Sequence, residues 1–441
     1  MRRALAVLLV LASSASAAPP NTRDQKVRAD KAKVEAEGFW IYNDLAKGFE
    51  QAKATGKPLV VVFRCIPCEE CVKLDDELVD TDPVIKPLLE KYVCVRIVGT
   101  NGLDLSLFQF DTDQSFAVFL LNADKTVYGR FGTRSHRTEW VGDVSRAGMA
   151  KALQKGLELH GAYPANRDGL AGKRGPAMEV ASPEQFPALK EKYTASLNYE
   201  GNVVQSCIHC HQIGDAQREF YWKQGRPIPE SVLFPAPHPG VIGLTLDPKE
   251  CATIASVQAG SAADKAGLKE GDTIESLGGQ PLVSIADVQW VLHRAPAEGG
   301  VLNGNVLRDG KATAVALTLA PGWKRAGDLA WRSSSWGLRR ATLGGLVLEA
   351  ISDSERTAAG VPEGQMALRV KHVGKFGAHA AAMKAGLLQG DVLVSYDGRT
   401  DFEREADIFY HAVTQRKIGD KIALKVRRDG QMQEFTIPLQ E

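Results

Sequence analysis

At 441 residues the chain is too long for one hydrophobic core, so three or four domains are expected. Lys and Arg number 54 against 53 Asp and Glu, which excludes the charge excess that nucleic acid or an anionic membrane would select. Apolar residues at 44% and charged residues at 24% are those of packed globular domains and exclude a disordered chain.

The amino terminus reads as an export signal. Met1-Arg2-Arg3 is basic, residues 4–12 are apolar, and Ala15-Ser16-Ala17 is a small-residue cleavage site, so residues 1–17 are assigned as a signal peptide and the mature chain starts near Ala18. The apolar run is too short to span a bilayer and no later stretch is long enough, so an exported, periplasmic protein without a membrane span is expected. Residues 21–37 are polar and charged, a frayed or helical lead-in.

Residues 40–55 place Leu45, Phe49 and Ala52 on one helical face. Gly56-Lys57-Pro58 stops that helix, and residues 59–63 form an apolar run suited to a buried parallel strand. Further buried strands are expected at 92–98, which holds Cys94, at 116–121, and after the turn at 122–126 at 127–131. Three cysteines follow the first strand as two overlapping pairs, Cys65-Ile-Pro-Cys68 and Cys68-Glu-Glu-Cys71. Helix, Gly-Lys-Pro break, buried strand and Cys-x-x-Cys in that order resemble a thioredoxin-like domain over residues 38–160. The resemblance implies Cys68, five residues past Phe63, as nucleophile and Cys71 as resolving thiol. A helix amino terminus stabilises a thiolate, while Glu69 and Glu70 oppose it. One departure is plain: Asp113-Gln114-Ser115 stands where the family presents a cis-proline. The alternatives are structural disulfides, with Cys65 and Cys94 as neighbours across the sheet, or a thiolate metal site.

Residues 162–239 are expected to open with a loose linker at 162–177. A helix capped by Ser182 follows, continuing through 189–197 to a break at Gly201-Asn202. Next comes Cys207-Ile208-His209-Cys210-His211. Two thiols three apart with a following histidine resemble the haem-attachment motif of c-type cytochromes. The resemblance implies covalent haem c on Cys207 and Cys210 with His211 as an iron ligand. His238, in a proline-braced loop, ranks first as second metal ligand, Met178 second and an open position third. Phe220, Tyr221 and Trp222 offer an aromatic wall. Zinc or a plain disulfide would also account for the cysteines. Haem would leave five of the seven cysteines, Cys65, Cys68, Cys71, Cys94 and Cys251, an odd remainder.

The carboxy-terminal half repeats itself. Residues 261–272 match 380–391 through a small-residue helix, Gly-Leu and Gly-Asp, and Arg308-Asp309-Gly310 matches Arg428-Asp429-Gly430. These motifs resemble PDZ domains of the tandem form found in exported serine proteases, over residues 240–322 and 336–441. The resemblance implies that Ile242, Gly243 and Leu244 in the first copy, and Gly344, Gly345 and Leu346 in the second, hold a peptide carboxylate. Helices at 285–293 and 405–413 would form the opposite groove walls. Ile285, Val288 and Leu292 make a stripe for either groove or core. No serine stands in a Gly-x-Ser-x-Gly setting, so the protease resemblance ends at these modules.

The expected architecture is therefore multidomain: α/β, with a thioredoxin-like domain and a small helical haem-bearing segment, plus two mainly β PDZ domains. The expected function is exported haem-c electron transfer with PDZ docking of partner proteins and an unknown redox partner. A PDZ scaffold with structural cysteines and a thiol-disulfide oxidoreductase are the alternatives.

Overall fold

The computed structural model describes residues 22–64, 82–114, 116–133 and 144–441. The expected signal segment, Cys65, Cys68, Cys71 and Ser115 lie outside the described residues. The first sheet is ordered β1-β3-β2-β4-β5, from β1 (Ile41–Tyr42), β2 (Leu59–Arg64), β3 (Val93–Ile97), β4 (Phe116–Leu121) and β5 (Val127–Thr133). β1, β3 and β2 run parallel, and β4 and β5 antiparallel. All residues of β2, β3 and β4 are buried, as continuous apolar runs covered on both faces require.

One face, through Val60, Val62, Phe116 and Val118, packs with helices Arg23–Glu37 and Arg146–Gly161. The lead-in is thus an ordered helix: Thr22 caps it and Val27 and Val34 anchor it in the core. The other face packs with helix Leu45–Thr55 and with Ile208, Ile213 and Ala216 of the central segment. Chain from outside the thioredoxin-like region therefore completes its core.

Two local expectations are corrected. Residues 162–177 are no loose linker: Lys173 is fully buried and its carbonyl accepts from Arg130 Nη2 at 2.7 Å. The helix expected from Ser182 onward is a 3-10 turn, Pro183–Gln185, and a single turn, Pro187–Lys190. Pro187 explains the break, because it drives the preceding Phe186 to an extended ψ of 134°.

Helix Cys210–Lys223 links the modules. Its start lies on the thioredoxin-like domain, while Trp222 near its end enters the core of the last module and donates from Nε1 to the Gln440 carbonyl at 2.9 Å. The first PDZ module holds a β6-β7 pair (Leu244–Leu246, Ile254–Val257) and a sheet ordered β11-β10-β8-β9, from β8 (Thr273–Leu277), β9 (Gln280–Pro281), β10 (Gly300–Arg308) and β11 (Lys311–Leu319). The second is an antiparallel sheet ordered β12-β13-β14-β15-β16, from β12 (Leu346–Ala350), β13 (Leu368–Val373), β14 (Val392–Tyr396), β15 (Lys421–Arg428) and β16 (Gln431–Pro438).

The repeated motifs have a shared cause. Asp272 accepts from Arg308 Nε at 2.7 Å and Nη2 at 2.6 Å, and Asp391 from Arg428 Nε at 2.6 Å and Nη2 at 2.7 Å. Gly-Asp and Arg-Asp-Gly are the two ends of one bidentate pair in each copy. The Arg308 hydrogen bonds hold the Asp272 carboxyl below its usual range.

Candidate functional site

Helix Ile285–Arg294 of the first PDZ module lies against β5. Ile285, Val288 and Leu292 face the module's own core, which settles the direction of that stripe. Its other side carries Asp287, whose Oδ2 meets Lys173 Nζ at 2.7 Å and whose Oδ1 accepts from Arg130 N at 3.1 Å. The Arg130 guanidinium stacks on Trp290 at 3.9 Å. A second buried cluster joins Arg332 to Asp111 and Asp113, and Asp113 also accepts from Ser334 N at 2.9 Å. These ion pairs tie the central segment to the first PDZ module and the stretch between the PDZ modules to the thioredoxin-like domain. Composition and periodicity gave no signal for them, because partners over a hundred residues apart leave no spacing to read.

The Cys207–His211 segment is clamped to the loop after β3. Thr100 N and Oγ1 donate to the Ile208 carbonyl at 3.0 and 2.8 Å, and Asn101 Oδ1 accepts from Ile208 N at 2.9 Å. Ile208 is fully buried, as a peg in the thioredoxin-like core. Cys207 is 7% exposed, with Sγ 3.6 Å from the Val98 carbonyl. A Cβ on Gly99 would lie 2.9 Å from that sulfur, so the seat depends on glycine. Cys210 is half-buried and His211 exposed on the first helical turn. The His209 and His211 rings are parallel at 5.9 Å; burial, then the neighbouring His211, lowers the His209 pKa.

These positions bear directly on haem. Cys210 and His211 present the atoms a c-type haem would use. Cys207 instead has its sulfur seated on Gly99, where an added Cβ would meet that sulfur at 2.9 Å and Leu197 Cδ2 at 3.0 Å, so a thioether at this position requires the thiol to turn outward. His211 lies in the first turn of the helix, whereas His238 follows Leu233 and Phe234, which pack with Trp222 near the helix's other end. The ring of His238 accepts from Gly240 N at 3.2 Å, capping the 3-10 turn Pro239–Ile242. Met178 packs on the cluster that contains Ile208. Among the described residues no group of three or more His, Cys, Asp or Glu side chains converges as a metal-ligand set.

Of the expected thiols, Cys94 is described. It sits opposite Val60 and donates to the Leu89 carbonyl at 3.3 Å, and burial pushes its pKa well up, the behaviour of an inert core thiol. β2 ends at Arg64, the residue before Cys65, and Phe63 pairs with Ile97 in the parallel ladder. The described part of β2 therefore ends on the same side of the sheet as Gly99, on which Cys207 is seated.

Both loops expected to hold a carboxylate lie between a helical turn and a strand. Gly243 (φ 83°) ends the turn Pro239–Ile242, and a Cβ there would lie 2.2 Å from Ser261 Cβ. In the second module Gly344 (φ 61°) ends helix Ser335–Leu343, and a Cβ on Gly345 (φ 90°) would lie 2.0 Å from the His379 carbonyl. Ile242 and Leu244, like Leu346, are buried in their module cores. Beside the first loop a cavity of about 410 Å³ is lined by His238, Gly240, Val241, Gln258, Trp331 and Arg332.

Comparison with known proteins agrees on the modules. Residues 40–123 match a thioredoxin-like family model, and residues 253–299 and 368–439 match two PDZ domain models. The chain contains a thioredoxin-like domain and two PDZ domains. It is 27% identical over 190 residues to a probable periplasmic serine endoprotease DegP-like protein of Pseudomonas fluorescens, covering 43% of this chain and 38% of that one. It is 29% identical over 151 residues to the periplasmic serine endoprotease DegP of Salmonella typhimurium, covering 34% and 27%. The chain thus spans well under half the length of these relatives. The HtrA-type protease AlgW with a decapeptide aligns at 20% identity and a TM-score of 0.22, over 42% of this chain and 54% of that one. The same protease with a tripeptide aligns at 15% identity and a TM-score of 0.21, over 42% and 59%. No helix among the described residues is long and apolar enough to cross a membrane.

Proposed function

We propose that this is an exported, periplasmic docking protein that holds the carboxyl termini of client proteins beside a thiol site on its thioredoxin-like domain. The observation that carries this reading is the fixed placement of the first PDZ module, whose helix Ile285–Arg294 lies against β5, with Asp287 accepting from Arg130 N of β5 and paired with the buried Lys173 of the central segment. A client held there has a defined position relative to the end of the sheet where the Cys65–Cys71 stretch begins. In that reading Cys68 attacks a client disulfide, the client's departing sulfur takes a proton, and Cys71 releases the client as a dithiol with a Cys68–Cys71 disulfide left behind. The relatives named as periplasmic proteases support export, and the PDZ domain matches support peptide docking.

Docking is tested with the mature chain and displayed decapeptides bearing free or amidated carboxyl ends. Capture of the free form, lost on amidation, is expected; equal capture of both refutes carboxylate docking. A Cys68→Ser change is expected to abolish disulfide exchange, and unchanged exchange would leave a docking scaffold alone.

A second reading is covalent haem c on Cys207 and Cys210 with His211 as ligand, favoured by the exposure of His211 beside Cys210 on the first helical turn. It requires Cys207 to turn out of its seat on Gly99. Expression in a host that matures c-type cytochromes separates the readings: haem gives a Soret band and a covalent mass increase, and the absence of both refutes it.

A further inference from the structure

We propose that the second PDZ module is latched shut by its own side chains, Arg339 and Glu405, so that peptide docking is confined to the first module until that pair opens. The inference rests on the docking reading above. β12 is an edge strand, and a PDZ ligand adds along such an edge. The Leu348 N–H, in the middle of β12, donates to Glu405 Oε1 at 2.9 Å and therefore points away from the ladder with β13. Glu405 is the first residue of helix Glu405–Gln415, the opposite wall of the groove. Its carboxylate also accepts from Arg339 Nε at 3.0 and 2.9 Å and from Nη2 at 2.6 Å. Arg339 is held in turn by Ser335 Oγ at 2.8 Å and the Ala330 carbonyl at 3.1 Å. Both side chains are buried, at 3% and 5% exposure.

The consequence is steric and chemical at once. The backbone donor that a ligand's carbonyl would use at Leu348 is already bonded to a carboxylate pinned across the groove. Helix Ser335–Leu343 packs against both walls, β12 and helix Glu405–Gln415. Gly345 N caps its helix on the Arg339 carbonyl at 3.0 Å, as Gly243 N caps its turn on the Gly240 carbonyl at 3.0 Å, so the cap is common to both modules and the closure rests on Glu405.

The first module lacks this device at the matching positions. Gly243 corresponds to Gly345 and hence Leu246 to Leu348, while Ile285 opens its groove helix where Glu405 opens the other. An isoleucine accepts no hydrogen bond. In place of the nine-residue helix that carries Arg339 there is the four-residue turn Pro239–Ile242.

The test uses the mature chain in two measurements. Hydrogen exchange at the Leu348 amide, without peptide, reads the latch directly. Capture of displayed decapeptides with free carboxyl ends reads the number of sites. Glu405→Ala strands a buried guanidinium, so Arg339→Met/Glu405→Ile, which imports the first module's residue, is the companion variant. Both are expected to speed Leu348 exchange by about 100-fold, as local protection is lost, and to raise capture from one peptide per chain to two. Leu348 exchange as fast in the wild type as in both variants overturns the latch, as does capture of two peptides by the wild type. Faster exchange with no peptide captured by any form keeps the closed edge and overturns the docking reading instead.

Discussion

Replacing Lys173 by methionine tests whether the central segment, which lies on the thioredoxin-like domain, is locked to the first PDZ module. Lys173 Nζ lies 2.7 Å from Asp287 Oδ2, and both side chains are 0% exposed. Burial lowers the Lys173 pKa and Asp287 opposes that shift, so the ammonium depends on its partner. Removing one member of a buried pair costs about 3–5 kcal/mol. Asp287 would keep backbone donors at Arg130 N, 3.1 Å, and Val283 N, 3.0 Å. The lower end, about 3 kcal/mol or roughly two powers of ten in the unfolding constant, is therefore expected for Lys173→Met. Asp287→Leu must cost more, because it strands the ammonium and also leaves two buried amides unpaired at about 1–3 kcal/mol each. Urea unfolding of the mature chain measures both, with proteolysis at residues 171–175 as a local readout. A cost below about 0.5 kcal/mol for Lys173→Met, or the reverse order of the two variants, would refute the claim that this pair locks the central segment to the first PDZ module.

The same junction can be wedged from the other side: a Cβ on Gly129 would lie 2.1 Å from Val283 Cγ2, so Gly129→Val is expected to cost about 1–3 kcal/mol in the same unfolding assay. His293 links the connector to the first module through Nδ1, which accepts from Ala236 N at 3.3 Å. Burial, then the charges of Lys324, Arg294, Arg130 and Arg332, pushes its pKa down to about 3. The unfolded chain binds more protons between that value and the ordinary 6.5, so this contribution is full above about pH 6.5 and is lost as pH falls toward 3. His293→Gln is expected to flatten the stability–pH curve there, and an unchanged slope would contradict the assignment. At the central segment, Asn101 holds Ile208 N at 2.9 Å and the carbonyls of Thr194 and Ser206 at 2.7 and 2.9 Å. Asn101→Ala is expected to raise the iodoacetamide labelling rate of Cys207 under reducing conditions about tenfold or more, and an unchanged rate would show that the seat stands without this residue.

What the sequence discloses divides along the range of the interactions concerned. The PDZ copies are legible because the Asp272–Arg308 and Asp391–Arg428 pairs recur within two local motifs, and a repeated motif reports its own geometry. The thioredoxin-like strands are legible because a sheet buried on both faces must be written as continuous apolar runs. The central segment misleads for the complementary reason. Pro187 ends a helix that capping and apolar spacing favour, and Ile208 is apolar because a strand end a hundred residues away needs a peg. Five residues of Cys-x-x-Cys-His give the atoms available but not their direction, and the seat of Cys207 lies on Gly99, about a hundred residues earlier in the chain. The latch lay between these cases. Aligning the two repeats sets Glu405 against Ile285, a charge where the sister module has an aliphatic side chain. Such a charge at the mouth of an apolar groove must find a partner. Its partner Arg339 lies 66 residues earlier, in a helix that the first copy does not have. The difference between two copies therefore carries functional information that the resemblance between them hides.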